Sequence, residues 1–367
     1  MKRNIYLSML ATAGILLSSC EGEEFKFPEE PVNYAVVPYG YLLNQGSYGA
    51  NNASLTAMYI RNGESYLSPD FYLKNNGQNL GDQAQDILFS EAGSVFVSVT
   101  NSKYVAKLDR YGRELTRYDA FTNGPRSMVE VNGDIFLSTY DGKVLRLDTA
   151  SLAVKATYEV GAYLEDIAAA AGWVVVTNSD YTGMGLGHSL GVINLATGTV
   201  SEVECEVNPT RLVTYNGDFF FTTTSYDAYW NAVTKVWRLR YPVTANQIDS
   251  VTLATNLYPT DDALLMMNQS VNYYVTPYAY TNTFLRYTDD GKESSVSETV
   301  PFQTDLSSAP VYMVQQHDGL YYVGIANFAA SGAVLNSSLL IFDKNGKLTE
   351  RIADAGGVFL SKIAFAE

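Results

Sequence analysis

The stretch that decides the fold is Ser127-Met128-Val129-Glu130-Val131-Asn132-Gly133-Asp134-Ile135-Phe136-Leu137-Ser138-Thr139-Tyr140-Asp141-Gly142-Lys143-Val144-Leu145-Arg146-Leu147-Asp148. It reads as three short strands. Ser127–Val131 is an inner strand, Asn132-Gly133-Asp134 a tight hairpin turn, Ile135–Thr139 the next strand, and Tyr140-Asp141-Gly142 a turn into Lys143–Asp148. Asn-Gly favours the positive φ values that two-residue hairpins demand, and Ala153–Val160 supplies a fourth, outer strand. The same rhythm recurs with middle runs at Val95–Val99, Val174–Asn178, Phe219–Thr223, Tyr273–Thr276 and Tyr321–Ile325, and with a further candidate at Tyr41–Asn44. A repeat of about 40–50 residues, each of four short strands, is the spacing of a propeller blade. No long helical periodicity competes with it.

The ends set the number of blades. Val358–Phe365 is one strand left over after the last blade, whereas the first blade begins one strand short at Tyr41–Asn44. A C-terminal strand that completes the first blade closes the ring and leaves no open sheet edge. The expected fold is therefore all-β, a seven-bladed β-propeller over residues 34–367, with six or eight blades as the alternative counts.

The N-terminus is an address. Lys2 and Arg3 precede an apolar stretch, Ile5–Leu17, that is too short to span a bilayer, and Leu17-Ser18-Ser19-Cys20 resembles a bacterial lipobox. Residues 1–19 are then a signal peptide and Cys20 the acylated residue, the alternative being an ordinary secretory signal with an incidental Cys. Several acyl chains anchor a protein to a membrane without spanning it. Glu21-Gly22-Glu23-Glu24 resembles the surface-export signal of Bacteroidetes lipoproteins or is a solvated acidic linker, and residues 20–33, with Pro28 and Pro31, form a tether in either case.

Composition excludes some classes of function. Without Lys2 and Arg3 the chain keeps 22 of its 24 basic residues against 39 acidic ones, a formal −17, which argues against nucleic acid as a partner. Cys205 is the one cysteine besides Cys20, so packing rather than a disulfide stabilises the domain. There are two histidines, His188 and His317, with no zinc spacing and no cysteine cluster. Pairs such as Asp261-Asp262 and Asp289-Asp290 lack an EF-hand pattern. No catalytic residue, metal or resident cofactor is assigned.

Candidate binding residues lie on one face of the ring. The loops between second and third strands are long and aromatic, in contrast to the short Gly-containing turns on the other side. They offer Tyr48 and Asn51, Tyr181 beside His188, Tyr226, Tyr229 and Trp230, Tyr278, and Phe328. Connections entering each blade emerge on the same face and add Arg126, Glu165, Asp166, Arg211, Asp261 and Asp262. Tyr and Trp give rigid contact area with a polar tip, suited to a bulky, partly polar ligand or to a protein partner. Enlarged loops on a rigid scaffold are where binding usually resides.

Leu42-Leu43-Asn44-Gln45-Gly46-Ser47-Tyr48-Gly49-Ala50-Asn51-Asn52-Ala53-Ser54-Leu55 resembles the opening motif of YncE-like surface lipoproteins of Bacteroidetes, the surface-layer protein family. Leu80-Gly81-Asp82-Gln83-Ala84-Gln85-Asp86-Ile87 and Gly124-Pro125-Arg126-Ser127-Met128 are similar to that family's blade starts, and the likeness runs to about residue 220. The family includes BtuG-type lipoproteins. The resemblance implies capture of a corrinoid, vitamin B12, for a TonB-dependent transporter in the outer membrane. Cobalamin would then be a transported ligand, with the loop aromatics as stacking walls and Asn51, Arg126 and Arg211 as polar contacts. Two other classes stay open: a scaffold or adhesion propeller that binds a protein or glycan, and a propeller lyase or lactonase.

Overall fold

The computed structural model describes residues 36–179, 187–240, 247–291 and 293–366, and residues 36–367 cluster as one compact unit. The fold is a seven-bladed β-propeller, seven sheets each of four antiparallel strands. Blade 3 shows the pattern: Pro125–Val131 is innermost, followed outward by Asp134–Thr139, Lys143–Asp148 and Val154–Glu159. Asn132 (φ 52°) and Gly133 (φ 76°) both take the left-handed conformation at the first hairpin, which a type I′ turn requires. The same pair of angles recurs at Asn216-Gly217 and Asp318-Gly319.

The C-terminal strand closes the ring as expected. Leu360–Phe365 lies innermost in blade 1 and pairs antiparallel with Gly40–Asn44, Leu42 standing opposite Ile363. Ile363 is buried in a cluster that also takes Leu42 and Met58 from blade 1 and Tyr322 and Ile341 from blade 7.

Every core cluster is shared in this way between neighbours. Phe96 and Val105 of blade 2 pack with Met128, Ile135 and Leu137 of blade 3, and Leu190 and Val192 of blade 4 with Phe219 and Phe221 of blade 5. A sheet covered on both faces needs apolar side chains at consecutive positions rather than at alternate ones. This explains the unbroken burial of Val95–Val99. Buried hydroxyls on the second strands add polar ties between blades: Ser98 donates to the Arg126 carbonyl, Ser138 to that of Glu165 (2.9 Å) and Thr177 to that of Thr210 (3.0 Å).

One helix occurs among the described residues, Phe71–Asn76 between blades 1 and 2, held by buried Phe71 and Tyr72.

Blade 6 departs from the sequence reading. Its second strand is Leu264–Asn272, and Tyr273–Thr276 lies in the turn that follows. Tyr-rich composition imitates a strand there, while the apolar run Leu264-Leu265-Met266-Met267 fills the core position. The innermost strand is accordingly Asn256–Pro259. Asp261-Asp262 therefore sits in the turn between first and second strands, on the face opposite the long loops, where Asp262 pairs with Arg286 (3.0 Å).

Candidate functional site

Strand direction places the second-to-third loops and the entry into each blade on one face. At that face the innermost strands of blades 2, 3, 4, 5 and 7 share a local defect. Their pairing with the second strand slips between Ala84 and Asp86, Pro125 and Met128, Leu164 and Ile167, Pro209 and Leu212, and Val311 and Met313. A bulge leaves residues unpaired and re-aims their side chains. The residues so released, among them Arg126, Glu165, Asp166, Arg211 and Tyr312, line a cavity of about 630 Å³ together with Lys362 of the closing strand.

Charges in this mouth are partly tied down. Arg126 forms an ion pair with Glu165 and lies over the Tyr140 ring at 4.8 Å, while Tyr140 donates to the other Glu165 oxygen at 3.0 Å. Asp86 takes Lys362 Nζ at 2.6 Å and the Met128 amide at 2.6 Å. Asp166 accepts from Ser127 Oγ (2.8 Å) and from the Leu212 amide (3.0 Å). Burial raises the Asp166 carboxyl above the usual range, against the lowering effect of the Arg211 charge. Tyr312 donates to Gln45. Arg211 is exposed; its amide donates to Thr222 Oγ1 (3.1 Å), and its side chain makes no hydrogen bond or ion pair with the described residues. Arg126 Nε and the Tyr258 hydroxyl are buried without a partner among the described residues.

Blades 5, 6 and 7 are taller than the others on this face. Their second and third strands run as Asp218–Tyr226 with Ala232–Leu239, Leu264–Asn272 with Ala279–Asp289, and Leu320–Phe328 with Val334–Phe342. In blade 5 the innermost strand stops pairing at Thr223, so Thr224–Tyr226 and Ala232–Thr234 stand clear of the sheet as a two-stranded ribbon.

Its tip is rigidly built. The Asp227 carboxylate accepts the amides of Tyr229 (2.8 Å) and Asn231 (2.9 Å) and the Asn231 side chain (3.0 Å). Trp230 is held at φ 64°, a conformation costly for a bulky residue. Tyr229 and Trp230 are left 85% and 83% exposed. On blades 6 and 7 the rings of Tyr278 and Phe328 lie 6.3 Å apart, with Tyr273 5.2 Å from Tyr278 and Tyr280 6.2 Å from Phe328. Tyr274 is fully exposed.

The structure thus brings together Arg126 with Arg211 at the mouth, Tyr226 with Trp230 at 6.3 Å, and Tyr278 with Phe328. Tyr48 is exposed on the blade 1 loop, which Asp82 ties by two bonds to the Gly49 amide (3.0 and 3.1 Å), and Asn51 is exposed on the same loop at φ 52°. Tyr181, Cys20 and the acidic tether lie outside the described residues. His188 is exposed at the foot of the blade 4 loop, its carbonyl accepting the Cys205 amide at 2.7 Å. His317 stacks on Phe365 (centroids 3.9 Å apart) at the other end of blade 7.

Sequence reasoning passed over Asp86, Tyr312 and Lys362. A signal for most of the mouth is present. Gln85-Asp86-Ile87, Arg126-Ser127-Met128, Glu165-Asp166-Ile167, Thr210-Arg211-Leu212 and Ser361-Lys362-Ile363 each set two polar residues before a buried apolar one near the start of an innermost strand.

No protein-family model matches the sequence, and no curated protein matches it. Among solved structures the chain is similar to BamB from Moraxella catarrhalis, with a TM-score of 0.50 over 88% of this chain and 84% of that one, at 11% identity. At that identity the likeness concerns the propeller fold alone.

Proposed function

We propose that this chain is a non-catalytic binding propeller, lipid-anchored through Cys20 in the outer membrane and facing the cell exterior, that captures a bulky, partly polar ligand on the loop face. In its most specific form the ligand is a corrinoid handed to a TonB-dependent transporter. The observation that carries the reading is the set of raised hairpins on blades 5–7, which expose Tyr229, Trp230, Tyr274 and Tyr278 on the face that also holds the polar mouth. Rigid aromatic side chains lose little entropy on binding, and the Asp227 turn has fixed two of them in advance, which lowers the cost of association. The corrinoid is named because the blade-start motifs resemble those of YncE-like surface lipoproteins, a family that includes the BtuG type.

The test is calorimetric titration of the soluble chain, from residue 21 onward, with cyanocobalamin. Saturable one-to-one binding that Trp230→Ala weakens by about 2 kcal/mol, roughly thirtyfold, is the expected result for an aromatic anchor. Absence of heat and of any change in the corrinoid spectrum removes that ligand. A second reading, a scaffold for a surface protein or glycan, is favoured by one feature: Tyr274 projects fully into solvent rather than lining a cavity.

A further inference from the structure

The axial cavity offers more hydrogen-bond donors than its own acceptors use. Its carboxylates are committed: Glu165 to Arg126 and Tyr140, Asp86 to Lys362 and two backbone amides, and Asp166 to Ser127 and the amides of Ile167 and Leu212. Two donors are left over: the Arg211 guanidinium makes no hydrogen bond or ion pair with the described residues, and the buried Arg126 Nε has no hydrogen-bond partner among them. A buried donor without an acceptor is costly, and a group with several acceptor oxygens meets that demand.

The geometry points to an anion subsite on the propeller axis, taking a ligand that carries a carboxylate or phosphate group, with Arg211 as the principal charge and the Arg126 Nε as a second donor. The guanidinium fork is suited to planar or tetrahedral oxyanions. The cavity, at about 630 Å³, is of the size that holds a small molecule. The lengthwise order of the site is then anion at the axis and apolar body toward the raised hairpins of blades 5–7. This inference does not rest on the corrinoid reading, since both donors belong to the innermost strands rather than to the aromatic tips.

The experiment is thermal unfolding of the soluble chain from residue 21 onward with sodium phosphate and, separately, citrate, each against sodium chloride at matched ionic strength. Specific binding to the folded state raises the midpoint in a saturable way. Arg211→Gln is expected to weaken the anion at least about tenfold. Lys344→Gln removes an equal charge from an exposed turn and is expected to change nothing. Citrate acting and phosphate failing assigns a carboxylate, and the reverse a phosphate. The inference is overturned if chloride gives the same shift, if neither anion saturates at millimolar concentration, or if Lys344→Gln weakens binding as much as Arg211→Gln does. Cyanocobalamin titrated into the same variants separates this outcome from failure of the corrinoid reading.

Discussion

Asp86 belongs to blade 2, yet its carboxylate is where three blades meet. It accepts the Met128 amide of blade 3 at 2.6 Å, Ser127 Oγ of the same blade at 3.2 Å and Lys362 Nζ of the closing strand at 2.6 Å, and it is only 3% exposed. Asp86→Ala strips the Met128 amide of its partner in a buried setting, which costs about 1–3 kcal/mol. The Lys362 side chain is 41% exposed and can turn to water, so loss of the ion pair adds at most about 1 kcal/mol. The expected total is about 3 kcal/mol. Asp86→Asn keeps one acceptor oxygen and should lose roughly half of that. Lys362→Met, which removes only the exposed partner, should cost less than about 1 kcal/mol. The assay is equilibrium unfolding in urea, comparing midpoints at unchanged slope. If Asp86→Ala lies within about 0.5 kcal/mol of the parent, or if Lys362→Met costs as much as Asp86→Ala, the argument that this carboxylate ties the blades is refuted.

Ile363→Ala in the closing strand should cost about 2–5 kcal/mol in the same assay, because the side chain is buried between blades 1 and 7. Leu115→Ala, at a position exposed on an outer strand, should stay within about 0.5 kcal/mol. Trp230→Gly places at φ 64° the residue that tolerates it best. Stability by urea unfolding should be unchanged or higher by up to about 1 kcal/mol, while cyanocobalamin affinity falls. At Asp134 burial works against the charge, but bonds and charges from Lys155 and Arg146 outweigh it and hold the carboxyl below the ordinary 3.8. A depressed folded value stabilises above the unfolded one and is lost as pH falls through the folded one. The urea midpoint should therefore drop as pH falls below about 4, with a smaller drop in Asp134→Asn.

Much of the ring is legible because each blade repeats one physical demand. A second strand buried on both faces must be apolar without alternation, as in Val95–Val97 and Val174–Val176, and a two-residue hairpin must take positive φ, as Asn132-Gly133 does. Blade 6 misleads because its composition satisfies neither demand where it was expected. Tyr273-Tyr274-Val275 has strand propensity, but propensity reports fit to a half-buried pleated surface, and here the same residues cap a hairpin in solvent. The error moved the whole blade by one element, which carried Asp261-Asp262 to the wrong face.

The site is less legible for a different reason. The aromatic tips are local, so a single loop such as Tyr226–Asn231 displays Tyr229 and Trp230 on its own. The axial cavity is built from one or two residues per blade, and Arg126, Asp166, Arg211, Tyr312 and Lys362 converge only because the ring closes. Their character also depends on partners. Arg126 takes the first and Arg211 the second of the two released positions in blades 3 and 5; Glu165 and Tyr140 hold the Arg126 side chain, whereas that of Arg211 makes no hydrogen bond or ion pair with the described residues. Residue type at a blade start therefore predicts membership of the cavity, whereas its availability to a ligand follows from what the adjoining blade places beside it. Of the two arginines among the polar contacts expected from the sequence, Arg211 is the one whose side chain makes no hydrogen bond or ion pair with the described residues.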